Sequence, residues 1–298
     1  MSSVSTPARQ SSIGSISAGR KIKDRAVQGL VYLAFALALI PLISVLWTVI
    51  GHGMERFDAV FFQKSMNGVS GRMAGGGAYH AIIGTLEQVA ITTAIAVPIA
   101  ILTAIYLVEY GADRKLAKVI SFFIDVMTGI PSIVAGLFIL ALWLLTFGFD
   151  FSGLAGSLAL AILMIPTVVR AAEEMLKLVP NDLREASYAL GVPRWRTILF
   201  VILPTAATGI ITGVMLAVAR VMGETAPLLL TIFVTKAINT NPFEGAQGSL
   251  PTFIWDQAGD PNQNAIDRAW AGALTLIVII MLLNLVARFI ARRTRFGR

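Results

Sequence analysis

The chain has 298 residues, of which 56% are hydrophobic and 14% are charged, whereas soluble domains carry about 25% charged residues. This composition predicts an integral membrane protein with several spans. The absence of cysteine excludes disulfides and thiolate metal sites, and two histidines alone cannot build a metal site. The net charge of +7 is explained by basic residues beside transmembrane helices, so we do not expect nucleic acid as a partner.

The first residues are polar and rich in Ser and Thr. Residues 1–28 lack the apolar core and small-residue cleavage site of a signal peptide, and they predict a disordered, basic cytoplasmic tail. Residues 29–291 are expected to form the membrane domain. Residues 292–298 are expected to form a second basic cytoplasmic tail.

Six segments are long and apolar enough to cross a bilayer, which takes about 20 residues. They are 29–50, 82–107, 119–147, 154–172, 198–221 and 270–290. Residues 226–234 are also apolar but too short to span, which predicts a helix extension or a re-entrant piece packed on the bundle. The sequence therefore predicts an all-α membrane protein with six transmembrane helices. An even number of spans places both termini on the same side.

Basic residues set the orientation of these spans. Most of the 24 Lys and Arg residues lie in the two termini and in the loops that follow the second and fourth spans. The positive-inside rule therefore places both termini and these loops in the cytoplasm. The Gly-rich loop 51–81 and the acidic loop 223–267 are then expected to face the outside.

The stretch 180–204, PNDLREASYALGVPRWRTILFVILP, is a polar interruption between the fourth and fifth spans. Asn181 or Asp182 is a predicted N-cap for a short helix, and Gly191 followed by Pro193 predicts where it ends. Pro193 is also suited to the first position of a second helix. We expect a short helix, a tight glycine turn and a return into the bilayer.

The short helix carries a stripe of small and apolar side chains at helical spacing. The stripe consists of Leu183, Ala186, Ser187 and Leu190. It is typical of a helix that fits into a groove on a partner. The alternative is an amphipathic helix on the membrane surface, anchored by Trp195. The sequence has no G-x-x-x-x-G-K-[ST] phosphate-binding loop, so we expect any nucleotide to be bound by a partner.

The same stretch resembles the EAA signature of ATP-binding-cassette (ABC) importer permeases, E-A-A-x3-G-x9-I-x-L-P. The positions of the motif are occupied by Glu185, Ala186, Gly191, Leu203 and Pro204, with Ser187 for the second Ala and Val201 for the Ile. Both replacements are small. The resemblance implies that the segment docks on an ATPase subunit and transmits its closure to the membrane helices.

Further stretches are similar to the phosphate-specific branch of these permeases. They are GIPSIVAGLF at 129–138, RAAEEMLKLVP at 170–180, ARVMGETAPLLLT at 219–231, and the ending with WAGAL at 270 and LLNLVAR at 282. The segment GETAPLLLT is more similar to A-type than to C-type phosphate permeases. The resemblance covers about residues 129–288 and implies the type I, MetI-like permease architecture.

The resemblance also implies partners. One chain would form half of a translocation pathway, completed by a second, C-type permease subunit. Two cytoplasmic ATPase subunits would bind ATP with Mg, and an extracytoplasmic binding protein would deliver inorganic phosphate. The chain itself is expected to hold no cofactor and to catalyse no reaction, and it would lie in the bacterial cytoplasmic (inner) membrane.

Ionisable side chains at bilayer depth are costly and are therefore candidates for the substrate pathway. Arg220 and Glu224 lie four residues apart at the outer end of the fifth span, so they share one helical face. The guanidinium of Arg220 offers a fork of donors suited to a phosphate oxyanion. The resemblance implies that both residues line the pathway. The alternative is that they neutralise each other at the membrane interface.

Arg170, Asp125 and Glu87 are further candidates for the pathway. Arg170, at the cytoplasmic end of the fourth span, fits either an inner gate or a snorkelling side chain with surface salt bridges. Asp125 and Glu87 lie inside the third and second spans, where they line a cavity or bond to Ser and Thr on neighbouring helices. Because Asp125 precedes Gly129 and Pro131, we expect the third helix to be interrupted near a cavity.

Two other functions remain open at this point. One is an ABC permease for another oxyanion or small solute. The other is an ion-coupled secondary transporter that uses Asp125, Glu87 and Arg220, although the inverted repeats expected for that class are not detected.

Overall fold

A computed structural model describes residues 18–111 and 114–296, and all regular elements in these ranges are helical. The helices are α1 (Ala18–Met54), α2 (Ala59–Gln63), α3 (Tyr79–Ile105), α4 (Lys115–Gly129), α5 (Ser132–Ile139), α6 (Gly153–Lys177), α7 (Asn181–Ala189), α8 (Arg194–Thr197), α9 (Leu203–Met222), α10 (Ala226–Thr231), α11 (Leu250–Ala258) and α12 (Gln263–Phe296). Three π-helical turns, Tyr106–Tyr110, Leu140–Thr146 and Ile198–Ile202, extend α3 and α5 and join α8 to α9. The predicted all-α fold class is confirmed.

Within the described ranges, five helices are long and apolar enough to cross a membrane, and α4 with α5 makes a sixth if the pair counts as one span. That pair is bent by 106°, so the segment predicted as the third span, 119–147, consists of two helices with a break between them. The bend follows from Pro131, which lacks an N–H and forces Ile130 into an extended conformation (φ −72°, ψ 128°). The interruption expected at Gly129 and Pro131 is confirmed.

The chain divides into two compact units at Thr48. In the first unit, α1 begins at Ala18, so residues 18–28 are helical and not disordered as predicted. Arg, Lys and Ala, which are good helix formers, each occur twice there. The remainder of the predicted tail, residues 1–17, lies outside the described residues. In the second unit, α12 continues to Phe296, so the predicted C-terminal tail is helical up to that residue.

The core of the second unit is built around α6, which is the most buried of the candidate spans. Ala96, Ala100 and Ala104 recur every fourth residue on α3 and are fully buried. Small side chains of this kind let two helix backbones approach closely in a membrane. On the other side of α6, a Cβ added at Gly213 of α9 would lie 2.5 Å from the Cβ of Ala171. Close packing on both sides therefore fixes α3, α6 and α9 as one body.

The two ends of this unit differ. The α7 end comprises residues 105–111, 114–118 and 177–198, and the α11 end comprises residues 51–81 and 223–267. At the α11 end, Phe61, Leu250 and Phe253 belong to a second buried apolar cluster. The short apolar segment predicted at 226–234 forms α10 and packs on α6, where a Cβ at Gly156 would lie 2.5 Å from Ile232. It does not cross the bundle.

Arg268 at the start of α12 is fully buried at the α11 end. Its guanidinium donates to Gln257 Oε1 at 2.8 Å and to the carbonyl oxygens of Met73, Gly75 and Gly71 at 2.7, 3.0 and 3.3 Å. A planar cation with several donors can satisfy several converging carbonyls at once. Arg268 therefore fastens the Gly-rich loop to the last span.

We expect Arg268→Gln to lower the free energy of unfolding by about 3 kcal/mol, because buried carbonyls lose charge-assisted hydrogen bonds. Thermal unfolding of the purified protein in detergent measures the effect as a lower Tm. Arg72→Gln is the control, since this arginine lies in the same loop with an exposed side chain. Equal Tm values for the two variants would show that the buried guanidinium does not hold the loop.

Candidate functional site

The segment that carries the EAA resemblance forms α7, a glycine turn and α8. Gly191 has φ +75°, and its N–H donates to the Tyr188 carbonyl at 2.9 Å, so the tight turn predicted at Gly191 is confirmed and is left-handed. The predicted N-cap is wrong. Pro180 occupies the position before the helix, and no side chain caps it. Asn181 is already helical, and its Oδ1 instead accepts a hydrogen bond from Arg184 at 3.2 Å.

The four side chains of the predicted stripe on α7 do not all face the same environment. Leu183 and Leu190 are 40% and 83% exposed, and Ala186 is exposed beside them. Ser187 is buried and its hydroxyl lies 2.8 Å from the hydroxyl of Thr197. Three members of the stripe therefore form an open surface, whereas Ser187 holds α7 against α8.

The remaining residues of the EAA stretch lie beside this surface. Glu185 is exposed on α7. Leu203 and Pro204 are half-buried at the start of α9, and Leu203 packs against the main core. The π-helical turn Ile198–Ile202 precedes Pro204, whose ring cannot donate a hydrogen bond into the turn before it. The motif thus connects an exposed helix to a buried span.

Arg184 makes five hydrogen bonds, three of which connect α7 to the extension of α3 and to α6. It donates to Glu109 Oε1 at 2.9 and 3.3 Å, to the carbonyls of Leu176 and Val179 at 2.9 and 2.6 Å, and to Asn181. Glu109 is 4% exposed. Sequence reasoning missed this pair; the available signal was a carboxylate at the end of the second apolar segment.

Arg170 and Asp125, predicted separately, meet in one cluster between α6 and α4. Arg170 forms an ion pair with Asp125, and it donates to the carbonyl and the hydroxyl of Ser121 at 3.0 and 2.9 Å. Glu173 accepts from Arg170 at 2.5 Å and pairs with Lys177 at 2.8 Å. The cluster ties the two helices together near the α7 end.

Glu87 lies away from that cluster, toward the α11 end of α3. Its Oε2 accepts a hydrogen bond from Gln247 Nε2 at 2.6 Å, and Gln88 donates to Gln247 Oε1 at 2.9 Å. Gln247 and Gln88 are buried, whereas Glu87 is half-buried. Glu87 therefore bonds to the segment that leads into α11, and among the described residues it has no hydrogen bond to Ser or Thr.

Arg220 lies in the last turn of α9, but the helix ends at Met222 and Glu224 lies beyond it, so the two residues do not share one helical face. The Nε of Arg220 lies 3.8 Å from Glu224 Oε1, and their side chains are 61% and 18% exposed. Within residues 18–111 and 114–296, no hydrogen bond reaches the Arg220 guanidinium. Its donors are thus open to a ligand. Because α9 runs away from α8, this pair lies toward the α11 end, far along the bundle from Arg170.

These features, a bundle of apolar spans and an exposed short helix before a glycine turn, define a membrane protein with several spans. Two solved structures have the same fold. The MetNI methionine ABC transporter in inward-facing conformations matches with a TM-score of 0.58 and 21% identity, over 73% of this chain and 94% of that chain. A bacterial alginate ABC transporter, in complex with an alginate pentasaccharide-bound periplasmic protein, matches with a TM-score of 0.64 and 15% identity, over 91% and 96%.

The family model of the binding-protein-dependent transport system inner membrane component matches residues 96–296. The phosphate transport system permease protein PstA 1 of Mycobacterium tuberculosis is 45% identical over 93% of this chain and 91% of its own length. The PstA of Mycobacterium leprae is 44% identical over 95% and 94%, and that of Pasteurella multocida is 40% identical over 90% and 94%. The chain belongs to this permease family, within its PstA branch.

Proposed function

We propose that this chain is the permease subunit of an ATP-driven importer of inorganic phosphate. Identity of 45% to a phosphate permease along nearly the whole length carries the proposal. The open guanidinium of Arg220 supports the choice of an anion, because arginine presents several fixed donors to a phosphoryl group. A sister permease of the C-type completes the pathway, and an extracytoplasmic binding protein delivers phosphate to the α11 end.

The α7 end faces the cytoplasm in this proposal, as the positive-inside rule requires, and both termini lie on that side of the bacterial inner membrane. The exposed surface of Leu183, Ala186 and Leu190 enters a groove on one of two ATPase subunits. Those subunits bind and hydrolyse ATP with Mg, and this chain catalyses no reaction. Glu185, on the same helix, contacts the rim of the groove.

Transport then follows from rigid-body motion. ATP draws the ATPase subunits together, and α7 moves with them while the turn at Gly191 keeps its angle to α8. The movement reaches α9 through Leu203 and Pro204 and opens the translocation pathway to the outside. Phosphate passes Arg220, while Glu224 competes for the guanidinium and promotes release, because a pathway site must bind weakly enough to let its ion leave. Hydrolysis resets the cycle, and the Arg170–Asp125 pair closes the pathway at the α7 end.

The test is uptake of radiolabelled phosphate into proteoliposomes that contain the complete complex. We expect uptake that requires ATP and the binding protein, and that excess sulfate or molybdate does not inhibit. Uptake by this chain alone, without the ATPase, would instead identify an ion-coupled transporter. Uptake of sulfate or molybdate in place of phosphate would identify a permease for another oxyanion.

A further inference from the structure

We propose that the buried pair of Glu109 and Arg184 is the link through which α7 moves α3, the second span, during ATP-coupled transport. The inference rests on the proposed function and assigns two positioning residues to it. Arg184 lies in the middle of α7, and its guanidinium points away from the exposed docking surface. It joins α7 to Glu109 on the extension of α3, to the Leu176 carbonyl in the last turn of α6 and to the Val179 carbonyl just after it.

Arg184 and Ser187 are the two residues of α7 that are not exposed. Among the residues of α7 only Ser187 is buried, and its bond to Thr197 connects α7 to α8. Arg184 supplies the connection to the other two helices, and its side chain is 14% exposed. If either charge is removed, the other is left buried without its partner, which is strongly unfavourable. The ionic link therefore resists separation of α7 from α3.

The local geometry of α3 delivers Glu109 to this position. Tyr106–Tyr110 is a π-helical turn, which accommodates an extra residue, so the residues after it are rotated by about 100° relative to a continued α-helix. The next residue, Tyr110, lies under the guanidinium of Arg194 from α8, 4.8 Å from the ring centroid. Two consecutive residues of the turn thus hold both short helices of the EAA stretch.

The far end of α3 is tied to the segment before α11. Gln88 donates to the carbonyl of Gly248 at 3.2 Å, and Leu250 N–H donates to Thr85 Oγ1 at 2.7 Å. The span Tyr79–Tyr110 has 32 residues, which gives a length of about 48 Å. A displacement of α7 is therefore transmitted along this single helix to the segment before α11. That segment lies at the end of the bundle where we propose that the binding protein docks. Coupling of this kind requires elements that move as units.

The first experiment compares phosphate imported per ATP hydrolysed in proteoliposomes with the complete complex. We expect Glu109→Gln and Arg184→Gln each to lower this ratio about fivefold while the ATPase stays bound to the membrane. The double variant is expected to be no worse than the poorer single variant, because the two residues act as one unit. Glu174→Gln is the matched control, since Glu174 lies at the same end with a 66% exposed side chain and a 3.7 Å ion pair.

The second experiment restores the link covalently, and the absence of cysteine in this chain makes it specific. In a complex whose partner subunits are free of cysteine, Glu109→Cys and Arg184→Cys are combined and joined by a short bifunctional thiol reagent. We expect the cross-linked complex to regain the phosphate-to-ATP ratio that the untreated double variant lacks. A merely structural role predicts recovered thermal stability without recovered coupling.

The outcomes separate the two proposals. If the unmodified complex imports no phosphate, the proposed function fails. If it imports phosphate and Glu109→Gln couples normally, the link between α7 and α3 is overturned while the proposed function stands. Loss of transport on cross-linking also overturns the link, because it would show that α7 must slide against α3.

Discussion

Replacing Gly191 with valine is expected to lower ATP-coupled phosphate uptake at least about tenfold. Gly191 has φ +75°, a conformation that costs an L-residue about 1–2 kcal/mol and a β-branched residue more. Since about 1.4 kcal/mol corresponds to a factor of ten in an equilibrium, the population with α7 at its native angle to α8 falls by at least that factor. Uptake and ATPase activity in proteoliposomes measure the loss.

The chain offers a matched control for this substitution. Gly148 has φ +72°, and a Cβ at Gly148 or Gly191 would meet no atom within 4 Å. Gly148→Val therefore carries the same backbone strain without a clash, but in the loop after α5. We expect it to leave uptake near that of the unmodified complex. Equal loss in both variants would mean that strain anywhere impairs the complex, and normal uptake with Gly191→Val would exclude a coupling role for the turn.

The turn was predictable because it depends on one residue type. Glycine followed two residues later by proline is a local signal, and Gly191 adopts the left-handed conformation that this signal indicates. The N-cap at Asn181 or Asp182 was wrong for an equally local reason, since Pro180 fixes its own φ and takes the position before the helix. Local chemistry thus predicted the end of α7 better than its beginning.

The apolar segments were predictable, but their shape was not fully so. A run of apolar residues indicates that a segment can span the membrane, but it does not indicate whether the helix is continuous. The sequence therefore predicted an interruption at Gly129 and Pro131 but not the 106° bend between α4 and α5. The N-terminal extension of α1 to Ala18 was missed because charged residues preceding a span also fit a disordered tail.

Long-range pairs were beyond the reach of the sequence. Arg184 and Glu109 are separated by 75 residues, and Arg170 and Asp125 by 45. Each was recognisable as a costly charge near the membrane, but nothing in a single sequence specifies its partner. The fully buried Arg268 was missed for the same reason. The carbonyls that accept its hydrogen bonds belong to the backbone of a Gly-rich loop, and no charged residue there marks them as its partners.

Arg220→Gln is expected to reduce phosphate uptake about 10- to 100-fold, while the complex still assembles. The guanidinium is 61% exposed and only loosely paired, with Nε 3.8 Å from Glu224. A charge-assisted hydrogen bond contributes about 1.5–3 kcal/mol, so its loss from a weak pathway site removes most of the attraction for the anion. The measurement is uptake at saturating ATP together with the amount of ATPase retained on the membrane.

Two further variants test whether the loss of uptake is due to the specific donors of Arg220 or only to the loss of one positive charge at the α11 end. Arg220→Lys keeps the charge but loses the planar fork of donors, so we expect it to retain more uptake than the glutamine variant and less than the native arginine. Arg72→Gln removes an exposed arginine from a loop at the same α11 end and is expected to change uptake less than twofold, because electrostatic steering alone is screened by salt within about 8 Å. If Arg72→Gln and Arg220→Gln lower uptake equally, the α11 end attracts phosphate only through its overall charge. If Arg220→Gln transports normally, Arg220 neutralises Glu224 at the interface and does not line the pathway.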